Sequence, residues 1–299
     1  MKTFWQQQRI LLVLATLLLS ISVGAQEMKV MTWNIWHGGQ HGKKNDAFKK
    51  DTLNTQNVLK VLQENDPDVL FMQETYCCGM EIAKAAGYEH SWRGSSNLSI
   101  HSKYPIVDTL SIYKPFNSQG VVLEVQGKKL LCFNIWLDYL PDTFNQYPTA
   151  TPEDMIAEEQ LTRVKEIEKI LQEISGIQAA MDLPVIIGGD FNSASHLDWV
   201  DSTRKWHFNK VVEWPVSKVM AENGYVDSFR MVHPDPTKTL QGTWGFLSET
   251  VISDRIDYIY YKGDGLVPLD SKIVMDDPKG GFFNSDHRAI QTVFKLEKL

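Results

Sequence analysis

Near the C-terminal end of the chain, Ser285, Asp286 and His287 stand side by side in "GGFFNSDHRAI", directly ahead of an apolar run. A carboxylate beside an imidazole can be a plain surface turn. It can also be part of a hydrolytic site, in which the imidazole moves a proton or donates to developing charge. The second role requires partners, and four upstream segments offer them. "VMTWNIWHGG" runs from an apolar stretch into a glycine turn and leaves Asn34 and Trp36 at the junction; "DVLFMQET" ends on Glu74. "LPVIIGGDFNS" delivers Asp190 and Asn192, and "DRIDYIYY" opens with Arg255 and Asp257. Taken singly, each is an ordinary cap or turn residue. If the strands shared one sheet edge, however, their polar ends would converge on one crevice. Apart from the imidazole, the ligand atoms in this set are oxygens, which favours Mg²⁺, Mn²⁺ or Ca²⁺ over structural zinc.

The elements that must position these residues are legible as short runs rich in Val, Ile, Tyr and Phe. Residues 29–35, 69–72, 121–125, 130–136, 185–187, 256–261 and 289–294 read as strands. "VQGKKL" joins two of them as a hairpin. Between the strands, Val58, Val61 and Leu62 form a helical stripe, and so do Leu161, Val164, Ile167, Leu171 and Ile174. The second helix has Thr151 as N-cap, Pro152 at its first position, and Gly176 as its expected stop. Hairpins mixed with helical crossovers predict an α/β (α+β) architecture, with sheets packed together and helices outside. The two late strands, carrying Asp257 and leading from His287, are expected side by side in one sheet. Residues 137–151 and 193–216 are long and irregular, a length usually reserved for function. Trp199, Trp206 and Trp214 lie in the second of these, either as buried structure or as stacking surfaces.

Residues 1–25 differ from the rest. Lys2 and Arg9 precede an apolar stretch from Ile10 to Val23, and Gly24 and Ala25 follow. This is the order of a secretory signal peptide, leaving residues 26–299 as one secreted or periplasmic domain. The apolar stretch is shorter than the roughly 20 residues a membrane span needs. The formal charge of −7 becomes about −9 without that leader, which disfavours nonspecific binding to long nucleic acids. Three cysteines cannot all pair: neighbouring Cys77 and Cys78 are poor mutual partners, and Cys132 reads as a small buried hydrophobe. "NLS" at Asn97 fits a glycosylation sequon. There is no G-x-S-x-G elbow, H-E-x-x-H pair or P-loop.

In order along residues 28–296, "TWNI", "QET", "GGDFNS", "DRIDYIY" and "SDHRAI" resemble the endonuclease/exonuclease/phosphatase superfamily. The resemblance implies a four-layer sandwich of two packed mixed β-sheets flanked by helices, and phosphoester hydrolysis with Mg²⁺ or Mn²⁺. It implies metal ligation by Glu74, with Asn34 beside it and Asp286 close by. It makes Asp190 the residue that orients or deprotonates water and Asn192 a donor to phosphate. His287, held by Asp257, would contact the phosphate or act as acid–base group. Asn134, Trp136, Arg255 and Trp36 are expected at the substrate. Where the family usually has His or Tyr, this chain has Trp136, which offers one N–H donor and cannot exchange a proton at neutral pH.

Three functions stay open at this point. The first is an exported, monomeric, metal-dependent phosphodiesterase acting on a small, lipid- or glycan-linked phosphoester. The second is a secreted nonspecific nuclease, and the third a catalytically silent ligand-binding protein on the same fold.

Overall fold

A computed structural model of the 299-residue chain describes residues 26–39, 52–142, 144–245, 252–274 and 285–297; the leader expected over residues 1–25 lies outside them. The strands are β1 (Gln26–Asn34), β2 (Val69–Gln73), β3 (His90–Trp92), β4 (Ser99–Ser102), β5 (Ile106–Ser111) and β6 (Ser118–Val125). They continue with β7 (Lys128–Trp136), β8 (Val185–Asp190), β9 (Val226–Asp227), β10 (Asp257–Lys262), β11 (Leu266–Val274) and β12 (Ala289–Leu296). The helices are α1 (Thr52–Asn65), α2 (Gly79–Ala85), α3 (Pro152–Leu161), α4 (Arg163–Met181), α5 (Pro215–Glu222) and α6 (Ser228–Val232).

Two six-stranded mixed sheets result, ordered β11-β12-β1-β2-β4-β3 and β5-β6-β7-β8-β10-β9. Each has one parallel pair at its centre, β1 with β2 and β7 with β8, and antiparallel neighbours outside. A parallel pair needs a crossover; α1 makes one, and α3 with α4 makes the other. Alternation along the strands sorts side chains between two layers. Val30, Val69, Phe71, Val121, Cys132, Ile186, Ile259 and Ile290 fill the space between the sheets. Met31, Trp33, Leu70 and Met72 turn outward onto Val58, Leu62 and Ile82 of α1 and α2. Leu131, Phe133, Val185 and Ile187 meet Ile167, Ile170 and Ile174 of α4. That is the four-layer sandwich.

Three local expectations change. The helical stripe is interrupted at Thr162, where α3 gives way to α4, and Leu161 is left 65% exposed. Gly176 does not stop α4, because Ile177 and Met181 beyond it still pack on the core; the helix ends at Asp182 in the left-handed region, φ 52°. The strands β10 and β12 belong to different sheets, since β12 pairs with β1 and β11 while β10 pairs with β8 and β9. Asp257 and His287 therefore face each other across the sandwich. The hairpin at Gln126-Gly127 forms as expected, with both residues at positive φ (54° and 77°), the conformation a two-residue turn demands.

Candidate active site

Alternation explains how the polar strand ends meet. Asn34 continues the inward face of Val30, Gln73 that of Phe71, Asn134 that of Cys132, and Asp190 that of Ile186. Asp257 is opposite Asp190 in the β8–β10 register and faces the same way. All sit at one end of the inter-sheet space, where the apolar filling stops. Gly188 lets the sheets close up there, since a Cβ on it would collide with the Phe71 ring.

His287 is fixed from three sides. Asp257 Oδ2 lies 2.9 Å from its Nδ1, and Trp33 Nε1 donates to its carbonyl at 3.0 Å. Ser285 Oγ accepts from its backbone N–H at 3.0 Å while donating to the Asn34 carbonyl at 2.7 Å. Its other nitrogen, Nε2, lies 3.8 Å from Asp190 Oδ2. Asp190, Asp257 and His287 thus form a compact, buried group of potential ligands and proton carriers. Burial alone favours the neutral imidazole, but the carboxylates of Asp257, Asp190 and Asp286 outweigh it and hold the ring's pKa well above the ordinary histidine value. Burial also raises Asp190, with Asp257 adding to the effect and His287 opposing it.

Asn34 links this group to Glu74. Its Nδ2 donates to Asp190 Oδ2 at 3.0 Å and to Glu74 Oε1 at 3.2 Å, while its Oδ1 accepts from Trp36 N–H. Glu74 Oε2 accepts from His37 N–H at 2.9 Å. Trp36, His37, Glu74 and Asn192 all have φ between 47° and 55°. Non-glycine residues seldom adopt that region, and such residues gather at sites where geometry outranks comfort. Asp286 is half-buried, and its covered Oδ1 has no hydrogen-bond partner among the described residues. Its carboxyl is raised first by burial and further by Glu74, against a lowering by His287. Asp190, Asp257 and Asp286 act on the imidazole, and Glu74 joins them through Asn34. That oxygen-rich, anionic set fits a hard divalent cation.

Other expected site residues land differently. Asn192 donates to the Leu137 carbonyl at 2.8 Å, and its backbone N–H closes a turn onto Asp190 Oδ1, so it braces Asp190. Asn134 is buried and saturated, accepting from Gln73 Nε2 and donating to Met72 and Ser99 carbonyls. Arg255 points away into a buried network with Asp198 and Asp227, which engages its donors. These bonds favour bracing over substrate contact for Asn134 and Arg255. Trp136 ends β7 in register with Asp190; it is half-buried, and its Nε1 meets no acceptor among the described residues. Trp199 and Trp214 are core residues packed with Phe144 and Tyr147, while Trp206 is 39% exposed.

One feature gives no signal in the sequence, and the expectation that Cys77 and Cys78 are poor partners is overturned. Asn97 is fully buried, its Oδ1 accepting from Glu74 N–H and its Nδ2 donating to the Phe116 carbonyl. A hydrophilic tripeptide gives no sign of that role. Cys77 and Cys78 are joined in a disulfide. The turn that bonds both Cys78 and Gly79 N–H groups to the Thr75 carbonyl brings the two sulfurs to one side.

The profile of the endonuclease/exonuclease/phosphatase family matches residues 31–287. The Caenorhabditis elegans protein F14F9.5, described as uncharacterized, is 26% identical over 285 residues, 86% of each chain. Among solved structures, truncated Caenorhabditis elegans TDP2 superposes with a TM-score of 0.60 at 19% identity, covering 90% of this chain and 98% of that one. The human Nocturnin catalytic domain with bound sulfate gives 0.62 at 14% identity, with 91% and 95% covered. A family member from Bacteroides thetaiotaomicron gives 0.57 at 14%, with 91% and 98% covered. At these identities the structural likeness is one of fold.

Proposed function

The chain belongs to the endonuclease/exonuclease/phosphatase family, whose members are typically metal-dependent phosphoester hydrolases, and from that premise we propose that it hydrolyses phosphoesters with a divalent cation, Mg²⁺ or Mn²⁺. The observation that carries this reading is the line from Asp257 through His287 to Asp190, with Glu74 attached through Asn34. Glu74 and Asp286, with Asn34 beside them, would hold the cation, which supplies charge stabilisation for the phosphoryl oxygens. Asp257 orients the imidazole and favours its protonated form, so Nε2 of His287 donates to the phosphoryl group. Asp190, braced by Asn34 and Asn192, accepts a hydrogen bond from the attacking water and turns it toward phosphorus.

The substrate is a small, lipid- or glycan-linked phosphodiester. The chain's net charge of −7 supports this over duplex nucleic acid, because few cations are available to replace counterions. The protein acts as a monomer after export, with residues 1–25 removed; sequencing the N-terminus of secreted protein should place it near Gln26. The decisive screen offers residues 26–299 bis-p-nitrophenyl phosphate, p-nitrophenyl phosphate, sphingomyelin and plasmid DNA, each with Mg²⁺, Mn²⁺ or chelator. Metal-dependent cleavage of a diester is expected; cleavage of plasmid DNA alone assigns a nuclease instead.

A further inference from the structure

One row of aromatic side chains borders Glu74, and a second lies beside Asp190. In one, His37 stacks on Tyr76 at 5.7 Å and 23°, with Trp36 at 6.3 Å beyond it. In the other, Trp136 meets Phe116 at 5.8 Å and 90°, and Tyr139 at 6.2 Å and 61°. The fold builds this second row into the site. Trp136 is in register with Asp190 on the neighbouring strand and shares its inward face. Phe116 is tied to Glu74 through Asn97, which accepts from the Glu74 N–H and donates to the Phe116 carbonyl. Tyr76 of the first row lies within electrostatic range of both Glu74 and Tyr139, so the two rows are near each other.

Packing leaves Phe116 and Tyr139 largely uncovered, with Trp136 half-buried beside them. Phe116 and Tyr139 are 41% and 49% exposed, whereas Trp199 and Trp214 are wholly inside. The steep angles at Trp136 mean the three rings do not stack face to face on one another. Exposed rings beside a polar cluster bind flat partners, since offset stacking adds to the burial of apolar area. Aliphatic chains gain the burial alone.

We propose that Phe116, Trp136 and Tyr139 form a stacking subsite that selects phosphoesters carrying a flat aromatic ring, a nucleobase or an aryl group, close to phosphorus. This rests on the phosphoester reading of the same site and departs from it in the linked group, a flat ring in place of a lipid or glycan. The ring lies against Trp136 while the phosphoryl group faces Asp190 and His287 on the adjoining strand ends. The acidic chain weakens its hold on long polyanions, so the ring is recognised on a small ester rather than along a strand.

The test is calorimetric titration of the Mg²⁺-supplied protein, repeated with Mn²⁺, using phenylphosphonate against cyclohexylphosphonate and thymidine 5′-phosphate against ribose 5-phosphate. Turnover of methyl p-nitrophenyl phosphate is followed in parallel. In at least one pair the aromatic ligand should bind about tenfold tighter, and the pair that shows it assigns aryl or nucleobase. That ratio should fall to near one in Trp136→Leu and drop in Phe116→Leu, an exposed position where folding is little challenged. Equal binding within both pairs, a ratio that survives both substitutions, or no binding with either metal overturns the subsite. Ring preference without turnover leaves the subsite standing and removes the hydrolase reading; turnover without ring preference does the reverse.

Discussion

Asp257 and His287 are thirty residues apart and on different sheets, yet their side chains meet at 2.9 Å. A pair that fixes one tautomer and one orientation acts as a unit, and substitutions within a unit are not additive. His287→Ala should lower turnover by roughly three orders of magnitude and Asp257→Asn by about two. The double variant should lose little more than His287→Ala alone. Strictly additive losses in that cycle would separate the two residues functionally. Asn97 gives a second test at this scale. Its amide holds Glu74 from behind, so Asn97→Ala should weaken the site's hold on Mg²⁺ by about tenfold without touching the substrate. Metal titration of activity reads this as a shift in the Mg²⁺ midpoint; an unchanged midpoint would reduce Asn97 to a turn brace.

Strands and turns decide whether those side chains arrive together. Gly188 sits where Phe71 of the facing sheet comes closest, and a methyl group there has nowhere to go. Gly188→Ala should destabilise by about 1–3 kcal/mol, and adding Phe71→Leu should recover part of the loss in thermal denaturation. His101 of β4 provides a pH signature. It is buried between Ser91 and Ser99, and burial lowers its pKa from 6.5 to about 3. Between those values the unfolded chain takes up a proton that the folded chain refuses. Stability is therefore complete above pH 6.5 and falls as pH drops below it. Urea unfolding at pH 7.5 and 5.0 should differ by about 2 kcal/mol more in the parent than in His101→Asn. Equal differences would mean His101 is protonated in the fold. The same strand shows why the sequence reading stopped where it did. Strands β2, β7 and β8 announce themselves as apolar runs that end in polar residues, and that juncture is what made Glu74 and Asp190 visible. Ser99–Ser102 is just as buried, but its polar side chains satisfy one another and hide it in the composition. Edge strand β11 carries Pro268 and a bulge before Asp270, which reads as loop. The resemblance puts Asn134 and Arg255 at the substrate; only three-dimensional partners show that their polar atoms are already engaged.

Across the whole molecule, charge sets the context for the chemistry. With Lys and Arg at 30 against 37 for Asp and Glu, any cleavage of duplex DNA should be weak and should change little with added salt. A steep fall in cleavage between low and physiological salt would instead indicate a polyanion groove. Among the described residues, no helix is long and apolar enough to cross a membrane. Asp190, Asp257 and Asp286 act on His287, Glu74 joins them through Asn34, and a bound cation would offset the charge they gather. The most direct measurement is hydrolysis of bis-p-nitrophenyl phosphate by residues 26–299, before and after chelation, in the parent and in Glu74→Gln. Chelation should abolish turnover and Mg²⁺ or Mn²⁺ should restore it, while Glu74→Gln should stay inactive with an almost unchanged melting temperature. Turnover that survives chelation, or survives in Glu74→Gln, would contradict metal-dependent phosphoester hydrolysis at this site.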